Sequence, residues 1–194
     1  MIVMDALRSL DRFLMRVLTS WHTSWLDVVM IAMSRIGEGG GLWIAMALVA
    51  LVKPRHRAAA WRVLLSVFVA ALLADGILKP LIGRARPHRD ETVITRALPD
   101  APASFSFPSG HAATTVGGMI AVARMWPQGR LIWWSAALLI AWSRVYLWHH
   151  FPLDVISGAL VGVVAAFWVL GGRPRSTYSR TLPDPLPSGV IVRP

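Results

Sequence analysis

Residues 153–170 read LDVISGALVGVVAAFWVL, and this stretch decides the class of fold. Its one charged residue, Asp154, stands near the start, and no other charge follows before Leu170. A run of this length is typical of a helix that spans a membrane, which needs about 20 apolar residues. The chain of 194 residues has a mean hydropathy of +0.54 and 15% charged residues, whereas soluble domains carry about 25%. We therefore expect an integral membrane protein.

Five further apolar segments precede this stretch, separated by basic, proline- or glycine-containing joints. They cover residues 24–36, 41–52, 61–78, 112–126 and 131–148. The first two are short for a bilayer, so they require flanking residues, tilt or local thinning. Most tryptophans lie near segment ends, as in the aromatic belts of membrane proteins. The sequence predicts an all-α, polytopic bundle of six transmembrane helices, with one membrane domain over residues 1–172 and a Pro-rich cytoplasmic tail over 173–194.

The N-terminal segment, residues 5–21, predicts an amphipathic helix. Its apolar face consists of Leu7, Leu10, Leu14, Val17 and Trp21, and an i, i+4 basic row consists of Arg8, Arg12 and Arg16. A helix of this kind lies in the membrane interface, and the alternative is a helix packed on the rest of the bundle. We favour the interfacial position. The arginines interrupt any apolar run that a cleavable signal peptide would need.

The chain has a net charge of +10 and no cysteine, which excludes disulfides and thiol chemistry. Basic residues flank the apolar segments instead of forming one continuous soluble face, which argues against nucleic acid as a partner. Four basic regions fall on one side of a six-span bundle: residues 8–16, 53–62, 124–130 and 173–193. The positive-inside rule makes that side, with both termini, the cytoplasmic face of an inner (plasma) membrane. Loop 79–111 is also basic although it falls on the opposite side, and phosphate binding would explain this exception.

The segment Pro108-Ser109-Gly110-His111 lies directly before an apolar helix. Ser109 fits an N-cap, and the free N–H groups of a first helical turn form an anion site. Gly110 allows a phosphate group to approach the backbone closely. Taken alone, the segment fits an ordinary helix cap with an incidental histidine equally well.

His150 and Asp154 are four residues apart, so a helical turn places them on one face. A carboxylate bonded to one ring nitrogen fixes the tautomer and makes the other nitrogen a better nucleophile. His149 is adjacent but would be rotated away, so the spacing favours His150. The alternative is a solvated histidine beside an aspartate that starts a helix.

Three cations, Lys79, Arg86 and Arg144, match the three non-bridging oxygens of a phosphate group. Arginine binds such oxygens bidentately and lysine acts as a point charge. Any of them alone is more often a membrane-edge cation, except Arg144, which lies inside the fifth apolar segment, where a charge indicates a functional site. Asp75, one turn before Lys79, either pairs with a cation or takes part in catalysis, and we favour pairing.

The predicted topology brings these residues together. The segment that begins at Lys79 follows the third span, the segment that ends at His111 precedes the fourth, and Arg144, His150 and Asp154 lie around the joint between the fifth and sixth. In a six-span bundle all of them lie at the extracytoplasmic face. The sequence therefore predicts a phosphate site there. Outside Asp154, no carboxylate cluster suited to magnesium is near it.

On these residues the chain resembles the type 2 phosphatidic acid phosphatase (PAP2) superfamily. The family pattern is Lys-x6-Arg-Pro, then Pro-Ser-Gly-His, then Ser-Arg-x5-His-x3-Asp. The matching residues are Lys79, Arg86, Pro87, Pro108, Ser109, Gly110, His111, Ser143, Arg144, His150 and Asp154. Every fixed position matches at the family's spacing, in the middle of the chain. The resemblance also implies six transmembrane helices.

The resemblance implies a two-step reaction in which His150 attacks phosphorus and forms a phosphohistidine. His111 protonates the leaving oxygen and then activates a water, and Asp154 orients His150. The phosphate-binding residues are Lys79, Arg86, Ser109, Gly110 and Arg144. No metal or other cofactor and no obligatory protein partner is expected, because the cations supply the electrostatic stabilisation.

The implied substrate is a phosphorylated lipid held in the bilayer. We expect undecaprenyl diphosphate, because small PAP2 proteins often recycle that carrier, with phosphatidylglycerophosphate, phosphatidic acid or a lipid A phosphate as alternatives. Loop 88–107, with Phe105 and Phe107, is expected to border the path of the lipid. A lipid phosphotransferase and an anion or lipid transporter are further classes. Transport does not need a His–Asp pair beside a second histidine, and six apolar segments argue against a soluble haloperoxidase.

Overall fold

The computed structural model describes residues 2–87 and 102–171, with side chains from residue 6 onward. Within these ranges every regular element is helical: α1 Ile2–Thr19, α2 Ser24–Ile36, α3 Gly41–Leu51, α4 Arg57–Ala71, α5 Lys79–Ile82, α6 Gly110–Met125, α7 Arg130–Tyr146 and α8 Pro152–Leu170. A π-helical segment, Leu72–Leu78, joins α4 to α5 without a break. The predicted tail, residues 173–194, and most of the predicted lipid-bordering loop lie outside the described residues.

The helices coincide with the predicted apolar segments to within two residues, except that α4, the π-helical segment and α5 extend the third segment at both ends. By length and composition, two of the described helical stretches can cross a membrane, 54–82 and 152–170. A third is added if α2 and residues 38–51, which meet at 49°, form one bent span. The count of six spans is not confirmed by these lengths and stays a prediction.

Helix α6 lies at the centre of the bundle and packs against α3, α4, α7 and α8. Its approach to α8 is close: a Cβ atom on Gly158 would lie 2.2 Å from the Ser109 carbonyl oxygen, and one on Gly162 would lie 2.4 Å from that of Ala113. The Ser109 N–H also donates to the Asp154 carbonyl at 2.9 Å. This contact places the first turns of α6 and α8 side by side.

Helix α1 packs against α7 and α8 through a stripe that the apolar pattern does not indicate. Asp11, Met15 and Thr19 are buried, and Met15 joins an apolar cluster with residues of α7 and the loop after it. The apolar face predicted from the sequence is largely exposed, including Leu7, Leu10 and Val17. The helix therefore packs on the bundle through one stripe while its apolar face points outward, and its position in the membrane interface stays a prediction.

Candidate active site

A cavity of about 190 Å³ lies where the end of α4, the starts of α5 and α6 and the end of α7 meet. Its lining includes Asp75, Lys79, Arg86, Gly110, His111, Thr114, Arg144 and His150. The three segments singled out in the sequence therefore meet at one cavity. Two of the predicted site residues, Ser109 and Asp154, are fully buried behind this lining.

Ser109 caps helix α6. Its backbone is extended, and its hydroxyl oxygen accepts from the N–H of Ala112 at 3.4 Å, as expected of an N-cap. Gly110 begins the helix, and a Cβ atom there would lie 2.1 Å from an oxygen of the Asp75 carboxylate. The glycine thus lets an anionic group approach the backbone of the first turn, and in this structure that group is Asp75.

Asp75 and Lys79 form an ion pair across one turn at the edge of the cavity. Asp75 lies in the π-helical segment, a helix type that is often found at functional sites. The Asp75 side chain is 47% exposed, whereas that of Lys79 is 12% exposed. The pairing favoured from the sequence is present, and it leaves the carboxylate open to solvent.

Arg86 is held by the main chain around it. Its guanidinium donates to the Ser104 carbonyl at 2.7 Å and to the His149 carbonyl at 2.5 Å, and lies 3.3 Å from Nε2 of His150. Burial lowers the pKa of Arg86, while the Asp154 and Asp75 carboxylates oppose that shift. These contacts fix the position of Arg86. Together with Lys79 and Arg144 it forms the positively charged part of the cavity lining, called the cationic wall below.

Arg144 is the most buried cation of the cationic wall. Only 3% of the residue is exposed, and its guanidinium donates to the hydroxyl of Ser34 on α2. Within the described part of the chain, its Nε–H has no hydrogen-bond partner. A buried donor of this kind is costly unless something accepts from it, which suits a residue that lines an anion cavity.

His150 is buried, and each ring nitrogen has a defined neighbour. Nδ1 lies 2.7 Å from the Ser106 carbonyl oxygen, which only accepts, so Nδ1 carries the proton and Nε2 is left with its lone pair. Burial, together with the charges of Arg86 and Arg144, lowers the pKa of His150 to about 4, although Asp154 opposes this shift. The ring is therefore neutral at physiological pH, with Nε2 directed toward Arg86.

Asp154 sits in the first turn of α8, where three groups donate to its carboxylate. Arg84 donates to Oδ1 at 2.6 Å, the Phe151 N–H donates to Oδ2 at 2.9 Å, and the Ser106 hydroxyl also donates to Oδ2. Nδ1 of His150 lies 3.9 Å from Oδ2, which is too long for a hydrogen bond. The predicted pair is adjacent, but Ser106 stands between them: its hydroxyl binds Asp154 and its carbonyl accepts from His150.

His111 and His149 occupy different surroundings. His111 lies in the first turn of α6, and its side chain lines the same cavity as His150. His149 contributes its main-chain carbonyl, which accepts from Arg86. The arrangement presents two histidines and three cations to one small volume.

Three residues of this region are not singled out by the sequence: Arg84, Ser106 and Asp11. Arg84 is one of several basic residues in its loop, and the only signal is its place two residues before Arg86. Nothing in the sequence marks Ser106. For Asp11 the only signal is a carboxylate in the middle of the arginine-rich N-terminal helix, between Arg8 and Arg12. Within residues 2–87 and 102–171, no group of three or more His, Asp or Glu side chains is arranged to hold a metal ion.

A second cavity, of about 910 Å³, lies beside the first and shares Arg86 with it. Helix α1, the loop after α5 and the start of α8 form its walls. The lining combines the apolar Leu7, Ile82, Phe107, Phe151 and Leu153 with the basic Arg8, Arg12, Arg84 and Arg86. An apolar groove thus runs up to the cationic wall.

Comparison with known proteins identifies relatives of this chain. The family model described as "PAP2 superfamily" matches residues 59–178. An undecaprenyl-diphosphatase of Sulfolobus acidocaldarius is 31% identical over 147 residues, which cover 73% of this chain and 68% of that protein. A lipid A 4'-phosphatase of Bacteroides thetaiotaomicron is 28% identical over 181 residues, covering 82% and 75%.

The fold is also similar to that of a solved structure. The crystal structure of a transmembrane PAP2-type phosphatidylglycerolphosphate phosphatase from Bacillus subtilis matches with a TM-score of 0.68 and 26% identity. The match covers 86% of this chain and 85% of that one.

Proposed function

The chain belongs to the PAP2 superfamily of membrane lipid phosphatases, and we propose that it removes phosphate from a phosphorylated lipid through a phosphohistidine at His150. One observation carries the proposal. The Ser106 carbonyl holds the Nδ1 proton of His150, so the lone pair of Nε2 is directed to the cavity side beside Arg86. A neutral imidazole fixed in one tautomer beside cations is the arrangement that a nitrogen nucleophile requires.

In the first step, Nε2 of His150 attacks phosphorus, an N–P bond forms, and the P–O bond to the leaving group breaks. Burial and the neighbouring cations lower the pKa of His111 to about 3, and the negative charge of a bound phosphate group raises it again. The protonated His111 then gives its proton to the leaving oxygen. In the second step, His111 accepts a proton from a water whose oxygen attacks phosphorus. The N–P bond then breaks, inorganic phosphate leaves, and the lone pair of Nε2 is restored.

The cationic wall stabilises the phosphoryl group during both steps. Lys79, Arg86 and Arg144 supply positive charge, and the first turn of α6 from Gly110 onward supplies N–H donors. Ser109 contributes as the cap of that turn, because its own N–H is bonded to the Asp154 carbonyl. The unpartnered Nε–H of Arg144 gains an acceptor when a phosphate oxygen enters. We propose that these groups make a metal ion unnecessary. Asp154 orients His150, in part through Ser106.

The proposed membrane arrangement has six spans, both termini in the cytoplasm and the active site at the extracytoplasmic face of the inner membrane. The basic joints between helices support this orientation. Residues 1–172 form one membrane domain and 173–194 a cytoplasmic tail. Helix α1 lies in the interface, since its exposed side carries both leucines and arginines.

The proposed substrate is undecaprenyl diphosphate. Support comes from the relative at 31% identity that is named for this activity, and from the apolar groove that meets the cationic wall at Arg86. The lipid chain would lie in the groove, past Phe107, while the diphosphate enters the smaller cavity. Phosphatidylglycerophosphate, phosphatidic acid and a lipid A phosphate are the alternatives, because relatives named for lipid A and phosphatidylglycerophosphate are also similar.

A phosphate-release assay on purified protein tests the proposal. The panel contains undecaprenyl diphosphate, phosphatidylglycerophosphate, phosphatidic acid and lipid A, each with EDTA and with added magnesium. We expect release in EDTA, fastest from undecaprenyl diphosphate. Absolute dependence on magnesium contradicts the mechanism, and transfer of the phosphoryl group to a second lipid identifies a phosphotransferase instead.

The role of His150 is tested by trapping the intermediate. Substrate labelled in the terminal phosphate should leave an acid-labile, alkali-stable label on the wild-type protein and none on His150→Ala. His149→Ala is the matched control, because it keeps the main-chain carbonyl that binds Arg86. If His150→Ala turns over at the wild-type rate, His150 is not the nucleophile.

A further inference from the structure

Arg84 lies between two buried carboxylates that come from opposite ends of the chain. Its Nη1 donates to Oδ1 of Asp154 at 2.6 Å, and its Nη2 donates to Oδ2 of Asp11 on α1 at 2.5 Å. Both aspartate side chains are fully buried. The guanidinium also stacks over the Phe151 ring at 4.2 Å. The planar fork of arginine suits such a bridge, whereas an ammonium group would not span it.

Asp11 also contacts the start of α8 directly. Its second oxygen, Oδ1, accepts from the N–H of Leu153 at 2.9 Å, one residue before Asp154. Helix α1 therefore holds the first turn of α8 twice, once through the main chain and once through Arg84. The N–H of Leu153 belongs to the set that no intrahelical acceptor satisfies.

The electrostatics tie the three residues into one unit. Two buried carboxylates share one guanidinium, so removing either carboxylate changes how the other is paired. When Asp11 loses its charge, Arg84 is left to Asp154 alone, and the hydrogen bonds that hold Asp154 and Ser106 rearrange. Ser106 carries the carbonyl that holds His150, so the change reaches the nucleophile.

We propose that Asp11 is a positioning residue for the phosphoryl transfer, acting through Arg84 on Asp154, and that α1 is part of the catalytic scaffold as well as a surface helix. The proposal rests on the proposed function of His150. A role of Asp11 in anchoring α1 to the membrane does not fit its position, because Asp11 is buried whereas the arginines of α1 are exposed.

The test compares Asp11→Asn with Arg16→Gln in full-length protein in detergent. Each replaces one charge on α1 by an amide, but Arg16 is exposed. Two substrates are used, the best lipid phosphate and p-nitrophenyl phosphate, which has no lipid chain. We expect Asp11→Asn to lower kcat at least tenfold on both substrates with KM within about threefold, and Arg16→Gln to leave both values near wild type.

A second measurement separates positioning from general stability. If Asp11 acts through Asp154, adding Asp11→Asn to Asp154→Asn should cause little further loss of kcat, because the route is already broken. Independent losses that multiply overturn the proposal. Wild-type kcat of Asp11→Asn on p-nitrophenyl phosphate also overturns the proposal. If the loss is then confined to the lipid substrate, Asp11 takes part in lipid binding in the groove instead.

Arg84→Lys is the second variant, and it decides the matter if Asp11→Asn does not fold. It keeps the charge but cannot bridge both carboxylates, so kcat should fall on both substrates, and unchanged kcat overturns the proposal. Wild-type turnover and its loss in His150→Ala are measured first. If the wild-type protein does not turn over substrate, or if His150→Ala remains active, the proposed function is rejected. If these two results are as expected but the Asp11 and Arg84 variants are fully active, only the role of α1 is rejected.

Discussion

Two carboxylates, Asp154 and Asp75, lie at the same end of the bundle in opposite kinds of surroundings. Asp154 is fully buried and accepts from Arg84, from the Ser106 hydroxyl and from the N–H of Phe151. Asp75 is about half exposed and pairs with Lys79 alone among the described residues. The first is fixed by the fold, whereas the second is held by a cation that also lines the phosphate cavity.

The contrast indicates that Asp154 is preorganised by its surroundings, whereas Asp75 can exchange its partner, Lys79. Burial makes Asp154 costly to disturb, because the buried donors around it would lose their acceptor. Asp75 is screened by solvent, and a surface ion pair contributes about 0–1 kcal/mol. We therefore infer that Lys79 can leave Asp75 for an incoming phosphate at small cost, while Asp154 keeps its partners throughout the reaction.

Replacing each carboxylate by its amide should show the largest difference. Asp154→Asn is expected to lower kcat by about 10³-fold, since an amide places N–H donors against donors that need an acceptor. The loss should be smaller than the roughly 10⁴-fold loss in a Ser-His-Asp triad, because Asp154 reaches His150 through Ser106. Asp75→Asn should cost less than about tenfold, consistent with an exposed pair. The measurement is steady-state kcat on the lipid substrate, with circular dichroism to establish that both variants are folded. Equal losses would remove the distinction between the two carboxylates.

The rigid surroundings of Asp154 depend on the close contact between α6 and α8. Gly158→Ala would place a Cβ atom 2.2 Å from the Ser109 carbonyl oxygen, which belongs to the backbone and cannot rotate away. We expect a loss of about 1–3 kcal/mol in unfolding free energy, and a lower kcat because the Ser109–Asp154 backbone bond is strained. The measurement is the thermal midpoint in detergent.

Gly76→Ala is the matched control for this substitution. Its added Cβ atom would meet the end of the Leu72 side chain at 3.2 Å, and that side chain can move. The midpoint should therefore change much less than in Gly158→Ala. If the two variants melt alike, contact between the helices does not hold the first turn of α8 in place.

Much of the candidate site is predictable because it follows from local pattern and topology. Ser109 and Gly110 are recognisable as a helix start, and the alternation of apolar segments places the ends of three pairs of segments together. His111, Arg144 and His150 do line one cavity, although the count of six spans behind that prediction stays unconfirmed. The residues proposed to contact the phosphate group can thus be predicted from the sequence.

The residues that hold the site residues in place are harder to predict from the sequence, because their contacts join segments that are distant in the chain. Arg84 binds Asp11 across 73 positions and Asp154 across 70. The helical periodicity of α1 marks its leucines and arginines as two faces, yet the stripe that packs on the bundle contains Asp11. Ser106 bonds both His150 and Asp154 from an irregular loop, where no periodicity applies. The π-helical turn that carries Asp75 is likewise not specified by any simple sequence period.

The pH dependence of the reaction tests the surroundings of the nucleophile, His150. Burial lowers the pKa of His150 to about 4, and the neutral ring is the reactive form. The acidic limb of the kcat/KM profile should therefore lie well below pH 6.5. The folded state binds fewer protons than the unfolded state in this range, so this group also lowers stability as the pH falls from about 6.5 toward 4. The measurement is a pH profile of kcat/KM together with thermal midpoints. An acidic limb at or above 6.5 would show that His150 is not desolvated as described.

The smallest expected effect concerns product binding at Asp75. Asp75→Asn removes a negative charge from a cavity that must hold phosphate and releases Lys79 from its pair. The inhibition constant for inorganic phosphate should therefore fall by about three- to tenfold, or roughly 0.7–1.4 kcal/mol of tighter binding. Lys79→Ala is the reference background: there the same change should have a smaller effect, because no lysine is released. Equal effects in both backgrounds would mean that Asp75 acts on the anion directly, by repulsion, and that its pair with Lys79 does not regulate the cation.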